Sequence, residues 1–71
     1  MKLHYYPETD SLYIDVNTKP SSDSREVAEG VVVDFDEDGH TVGIDIEHAS
    51  TTLDLRTLEM EDLPAQSVKM S

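Results

Sequence analysis

The chain has no cysteine and no tryptophan, few basic residues and no long apolar run. Without cysteine it can form no disulfide, thiolate zinc site or cysteine nucleophile, which also fits a reducing cytoplasm. Its longest aliphatic run, Val31 to Val33, is far shorter than the roughly 20 residues that cross a bilayer. Residues 1–7 lack the apolar region of a signal peptide. We therefore expect a soluble, cytoplasmic protein that makes no membrane contact.

The length of 71 residues provides for one small domain. A domain of this size buries only about 60% of its unfolded surface, so its core is thin. It is too small for a doubly wound nucleotide-binding domain or a barrel enzyme. No nucleophile elbow or glycine-rich phosphate loop surrounds its serines, and acid–base catalysis needs a cavity that desolvates a carboxylate. The sequence thus predicts a protein that is not an enzyme and uses no cofactor.

Acidic residues dominate the charge, with 16 Asp and Glu against five Lys and Arg and a net charge of -11. Nucleic-acid binding draws much of its free energy from basic side chains that release counterions, so general DNA coating is disfavoured. A scarcity of lysine is also typical of proteins adapted to molar salt, where the Debye length falls to about 3 Å. In such a halophile the net charge would say little about partners.

Apolar and polar residues alternate in five short runs, which is the period of half-buried strands. Turn residues separate the first two runs, and the acidic turn from Asp36 to Gly39 separates the last two. Both pairs predict hairpins, and a short edge strand is predicted between them. The predicted strands lie within residues 2–6, 12–16, 24–28, 31–35 and 42–46.

The end of the chain is predicted to be helical and then frayed. A helical turn is expected from His48, and residues 54–58 have helical spacing. The ordered domain is expected to cover residues 1–63, with a flexible tail over 64–71. The predicted fold class is α+β, mostly antiparallel β: a meander of four to five short strands with a short C-terminal helix. Such a sheet leaves two open edges, and a homodimer that covers one of them is expected.

The chain carries five short signatures in a fixed order: residues 2–14, Arg25 to Val31, Val33 to Gly39, Val42 to Ile46 and Ala49 to Ser50. Together they resemble the small prokaryotic domain-of-unknown-function family numbered 2283, over about residues 2–58. The resemblance implies a compact antiparallel sheet with a short helical element and no established activity. Genes for similar proteins often lie beside those of small putative toxins, which implies an antitoxin-like or regulatory role.

The acidic turn nearly matches an EF-hand calcium loop. Asp34, Asp36 and Asp38 stand at loop positions 1, 3 and 5, Gly39 at position 6 and Asp45 at position 12. An EF-hand needs a helix on each side, whereas the flanking residues alternate like strands, and position 12 is not the usual glutamate. The pattern therefore favours a hairpin turn with solvated acids, and the alternative is weak cation binding by the four aspartates.

Three histidines, His4, His40 and His48, are far apart in the sequence. A metal site needs such side chains to converge with further ligands, and nothing in their spacing requires it. We interpret them as surface residues.

Two binding functions remain. The first is a non-catalytic module that binds a small, basic protein, because open sheet edges accept a strand and an acidic surface steers a basic partner. The alternative is RNA or DNA binding in a salty cytoplasm, by aromatic stacking and phosphate contacts on an outward sheet face. The candidate nucleic-acid residues are Lys2, His4, Tyr6, Tyr13, Lys19 and Arg25.

Overall fold

The computed structural model describes residues 1–57. The predicted domain end at residue 63 and the predicted tail over 64–71 lie outside the described residues. No helix in the described part is long and apolar enough to cross a membrane. The elements are β1 (Lys2–Tyr6), β2 (Ser11–Asp15), β3 (Asp23–Ala28), β4 (Val31–Phe35), β5 (Thr41–Ile46) and the one-turn helix α1 (Ala49–Thr52).

The five strands form one sheet in the order β1-β2-β5-β4-β3, with every pair antiparallel. This confirms the mostly antiparallel fold class, with a smaller helix than a typical α+β protein has. Three of the neighbouring pairs are hairpins between consecutive strands, as in a meander, and the fourth joins β2 to β5. The chain that leaves β2 must therefore cross the ends of β5 and β4 before it enters β3 at the far edge.

The acidic turn joins β4 to β5 as predicted. The backbone N–H of Gly39 donates to the carbonyl of Asp36 at 3.1 Å, and Gly39 has φ 82°. A side chain is strained at this positive φ, which explains the glycine. The structure therefore confirms the hairpin.

The register gives the sheet one apolar and one polar face, because directly opposed residues in antiparallel strands project to the same side. The apolar face carries Leu3, Tyr5, Leu12, Ile14, Val31, Val33, Ile44 and Ile46. The polar face carries Lys2, His4, Tyr6, Tyr13, Asp15, Ser24, Glu26, Val32, Asp34, Gly43 and Asp45.

The apolar face is only partly covered by the described residues. Leu12 on this face is buried, as are Val42 of β5 and Ala49 of α1. Most other side chains on the face stay half-buried. A helix of four residues is too short to cover a five-stranded sheet. The described part is thus nearly a single layer, where stable domains have at least two.

Asp10, in the turn between β1 and β2, fastens α1 to the sheet. Its carbonyl accepts the N–H of Ala49 at 2.9 Å, and its carboxylate accepts the N–H and hydroxyl of Ser50 at 3.1 and 2.7 Å. The Tyr5 hydroxyl donates to the same carboxylate at 2.6 Å. His48 precedes α1 but makes no side-chain cap. Asp10 therefore caps a helix that begins 39 residues later.

The predicted helical spacing over 54–58 was wrong for residues 54–57, and Leu58 lies outside the described residues. Asp54 accepts the N–H of Arg56 at 3.1 Å and the hydroxyl of Thr57 at 3.0 Å. A short aspartate side chain competes in this way for backbone donors that a helix would use. The segment forms a turn instead of a helix.

We expect the substitution Asp10→Ala to release α1 from the sheet, because it removes the acceptor of the Tyr5 and Ser50 hydrogen bonds. The Tyr5 hydroxyl, followed by Ser50, holds the pKa of Asp10 below its usual range. The stabilisation from the charged carboxylate is thus present above the ordinary aspartate pKa and is lost as the pH falls through the lowered one. At pH 7 the variant should melt roughly 4–8 °C below the wild type, and the difference should shrink as the pH falls below the ordinary aspartate pKa.

Thermal unfolding followed by circular dichroism checks this expectation. Glu8→Ala, which removes an exposed acidic side chain from the same turn, is the matched control and should melt like the wild type. Equal melting temperatures for Asp10→Ala and the wild type at pH 7 would show that Asp10 does not hold α1.

Candidate functional site

An apolar groove lies between one half of the apolar face and the chain that follows α1. Its volume is about 650 Å³, within the roughly 300–1,000 Å³ of ligand-binding pockets. Strands β1, β2 and β5 supply one wall, and residues 53–57 supply the other. The groove is lined by Leu3, Tyr5, Leu12, Ile14, Ile46, Leu53, Asp54, Leu55 and Thr57.

The groove can bind apolar side chains. Tyr5 and Leu55 are 40% and 41% exposed, so large apolar groups face solvent. The hydrogen bond from Tyr5 to Asp10 fixes the tyrosine and raises the pKa of its hydroxyl. Among the described residues that line the groove, Asp54 is the one that carries a charge, and Arg56 Nε lies 3.7 Å from its Oδ1. Binding here would therefore depend on buried apolar area.

Sequence reasoning missed this groove. The predicted helical spacing over residues 54–58 did not anticipate the turn that supplies one of its walls. An available signal was the pair Leu53 and Leu55, whose alternation is not the spacing of a helix.

On the polar face, the Tyr13 side chain on β2 lies over Gly43 of β5 and reaches β4. Its hydroxyl donates to Asp34 at 2.8 Å, and Ser24 donates to the other oxygen of Asp34 at 2.6 Å. A Cβ at Gly43 would overlap the Tyr13 ring and hydroxyl. The glycine thus makes room for an aromatic ring that ties β2 to β4 over β5.

The candidate nucleic-acid residues lie in three separate places. Lys2, His4, Tyr6 and Tyr13 share the polar face, with the His4 and Tyr6 rings 4.3 Å apart, but the Tyr13 hydroxyl is held by Asp34. Asp15 and Asp45 stand opposite Lys2 and Tyr13 in the register. These carboxylates would repel phosphate.

The remaining two basic candidates lie elsewhere. Arg25 pairs with Val33 on the apolar side, and its guanidinium lies 5.2 Å from the centre of the Phe35 ring. Lys19 lies in the loop after β2, near Asp36. The structure therefore does not bring the six residues together as one nucleic-acid surface.

The four aspartates of the calcium hypothesis also separate. Asp34 is hydrogen-bonded on the polar face and Asp45 pairs with Tyr13, whereas Asp36 and Asp38 belong to the turn. The strands β4 and β5 flank this turn, as the alternation predicted, so the turn lacks the two helices of an EF-hand. His40 also lies near Asp36, with Nδ1 3.7 Å from Oδ2.

Comparison with known proteins places the chain in a family. Residues 2–50 match the family described as protein of unknown function (DUF2283), and the chain belongs to that family. The match confirms the resemblance drawn from the sequence, although it ends at residue 50 instead of 58. No curated protein and no solved structure shows a significant match to the chain.

We expect Gly43→Ala to lower the free energy of unfolding by about 1–3 kcal/mol, because the methyl group overlaps Tyr13. The control is the same change in a Tyr13→Ala background. There the ring is gone, and alanine should be neutral or stabilising by up to about 1 kcal/mol, since glycine is a poor strand residue. Urea unfolding of the four proteins measures both effects. An equal cost in both backgrounds would contradict the close packing.

The hydrogen bond from Tyr13 to Asp34 predicts a loss of stability at alkaline pH. Asp34 accepts the phenol proton of Tyr13 and raises the pKa of Tyr13 to about 12, and burial adds to this. The neutral phenol stabilises the fold below pH 10, and the effect is lost as the pH rises from 10 to 12. Tyr13→Phe should flatten that decline in urea unfolding, whereas Tyr6→Phe should leave it unchanged. A decline that is unaltered in Tyr13→Phe would refute this assignment.

Proposed function

We propose that this member of the DUF2283 family is a non-catalytic binding module that holds a small, basic protein, in a regulatory or antitoxin-like role. The observation that carries the proposal is the apolar groove between the sheet and residues 53–57. Large apolar side chains on both of its walls are the kind of anchor on which protein interfaces depend.

The shape of the apolar surface favours a protein over a small molecule. A small ligand has most of its own surface enclosed by its pocket. Here the apolar face continues beyond the groove to Val31 and Val33 on β4, which are half-buried. The edge strand β1, which also lines the groove, is unpaired within residues 1–57 and could accept a strand of the partner.

The charge favours a basic partner over a second copy of the chain. Two copies would each bring a net charge of -11 to the contact. Like charges across an interface oppose association, whereas a basic partner would be steered towards the acidic surface.

The test is co-expression of the full chain with the basic product of a neighbouring gene, followed by titration of the two purified proteins. We expect a one-to-one complex. Leu55→Glu, which places a charge on the groove wall, should weaken it at least about 30-fold, the loss typical of an interface hot spot. The matched control is Val27→Glu on the β3 edge, where the side chain is 58% exposed, and it should bind like the wild type. Circular dichroism checks that both variants fold.

Three outcomes would overturn the proposal. The first is Leu55→Glu binding the partner as tightly as the wild type does. The second is a homodimer at low salt that Leu55→Glu dissociates, which would assign the groove to a second copy. The third is a nuclease-sensitive excess of absorbance at 260 nm in protein purified from its own host, together with no bound protein. That result would favour the nucleic-acid alternative.

A further inference from the structure

Three metal-binding side chains converge at the turn between β4 and β5. Asp36, Asp38 and His40 each offer one ligand atom, and these atoms all lie within 4.8 Å of one another. Asp38 and His40 are exposed, whereas Asp36 is buried. The cluster lies at the end of the sheet opposite α1, away from the apolar groove.

One oxygen of the Asp36 carboxylate is held by hydrogen bonds, and the other has no hydrogen-bond donor among the described residues. Oδ1 accepts the backbone N–H groups of Asp38 and His40, each at 2.9 Å. The side chain is only 3% exposed. Oδ2 is buried with it and accepts no hydrogen bond from the described residues. A buried charged oxygen without a donor is costly, so a positive ligand at Oδ2 would remove a penalty.

Two basic side chains approach this oxygen without a hydrogen bond to it. His40 Nδ1 lies 3.7 Å from Oδ2, and Lys19 Nζ lies 4.0 Å away. Both distances are too long for a hydrogen bond. The Lys19 and His40 side chains are 60% and 71% exposed, so both can shift while Asp36 stays fixed.

The loop after β2 explains why an acid in a surface turn is buried. It crosses the ends of β5 and β4, where Asn17 Nδ2 donates to the carbonyl of Thr41 at 2.8 Å and the Ser22 N–H donates to that of Phe35 at 2.8 Å. Residues 19–22 and the turn residues 36–38 enclose a cleft of about 210 Å³. The cleft gives a small ion a path to Asp36.

We propose that Asp36, Asp38 and His40 bind a divalent transition-metal ion of the Zn²⁺ type. Zinc–oxygen and zinc–nitrogen bonds of about 2.0–2.2 Å at a tetrahedral angle place two ligand atoms about 3.4 Å apart. The 3.7 Å between Asp36 Oδ2 and His40 Nδ1 is close to that separation. Asp38 supplies the third ligand and water the fourth, while the two N–H groups on Oδ1 orient the carboxylate.

The ligand set selects against calcium and differs from the one considered from the sequence. Calcium takes six to eight oxygen ligands, whereas an imidazole nitrogen suits zinc and its neighbours. Asp34 and Asp45 take no part, because both project from the polar face. The ammonium of Lys19 competes with the metal for Oδ2.

Isothermal titration of the untagged full chain with zinc sulfate in a non-chelating buffer tests the site. We expect one equivalent of zinc to bind. His40→Gln and Asp38→Asn should each weaken binding at least about 10-fold, because each removes a ligand. Lys19→Gln should instead tighten binding several-fold, because it removes a charge that competes with zinc for Asp36 Oδ2. A purely structural role of the turn residues would not predict tighter binding in this variant. Asp36→Asn is avoided because Oδ1 also holds the turn.

The control variants are Glu37→Gln, an acid of the same turn, and His4→Gln, a histidine on the polar face. Both should bind zinc like the wild type, and circular dichroism should show all five variants folded. The proposal fails if zinc gives no heat at millimolar concentration. It also fails if His40→Gln binds as tightly as the wild type, if Lys19→Gln does not bind more tightly, or if calcium binds as tightly as zinc.

Discussion

The structure depends on how a single sheet covers its apolar face. The described residues supply one small helix and a short turn after it for this purpose, and Asp10 holds that helix in place. The same carboxylate orients Tyr5 at the groove. One residue in the first turn therefore sets the position of both groove walls, and the groove lies where residues 1–57 leave the second layer incomplete.

The crossing from β2 to β3 has a second consequence. Because β2 pairs with β5, the connection must pass the ends of two strands, and it packs against the acidic turn there. In a turn open to water, Asp36 would be solvated on both oxygens. Under the loop it keeps two backbone donors and loses water at the other oxygen. The strand order thus buries Asp36, an ordinary turn residue, with donors at one oxygen and none of the described residues donating to the other.

Local sequence patterns predicted the local elements well. Alternation placed all five strands, and Gly39 identified the turn with positive φ. What the patterns could not give was the pairing between segments distant in sequence. The pairing of β2 with β5 and the cap from Asp10 to Ser50 join segments about 30 and 40 residues apart, and no turn chemistry specifies either.

The candidate site was predictable only in part for the same reason. The spacing of Asp34, Asp36 and Asp38 matched a calcium loop, but strand geometry commits Asp34 to Tyr13 and Ser24 on the polar face. The groove depends on where residues 53–57 return to the sheet, which the composition of that segment does not determine. The sequence gives the net charge of the chain. It does not show which carboxylates accept hydrogen bonds within the fold, because that depends on the strand pairing.

The carboxylates of Asp10, Asp34 and Asp36 each accept at least two hydrogen bonds from the described residues. Most of the other acids are exposed and repel one another. A basic partner at the groove and a cation at the turn would each reduce that repulsion. The six residues of β5 separate the two ends of the sheet by about 20 Å, well beyond the Debye length of about 8 Å in physiological salt. The two binding events should therefore be electrostatically independent.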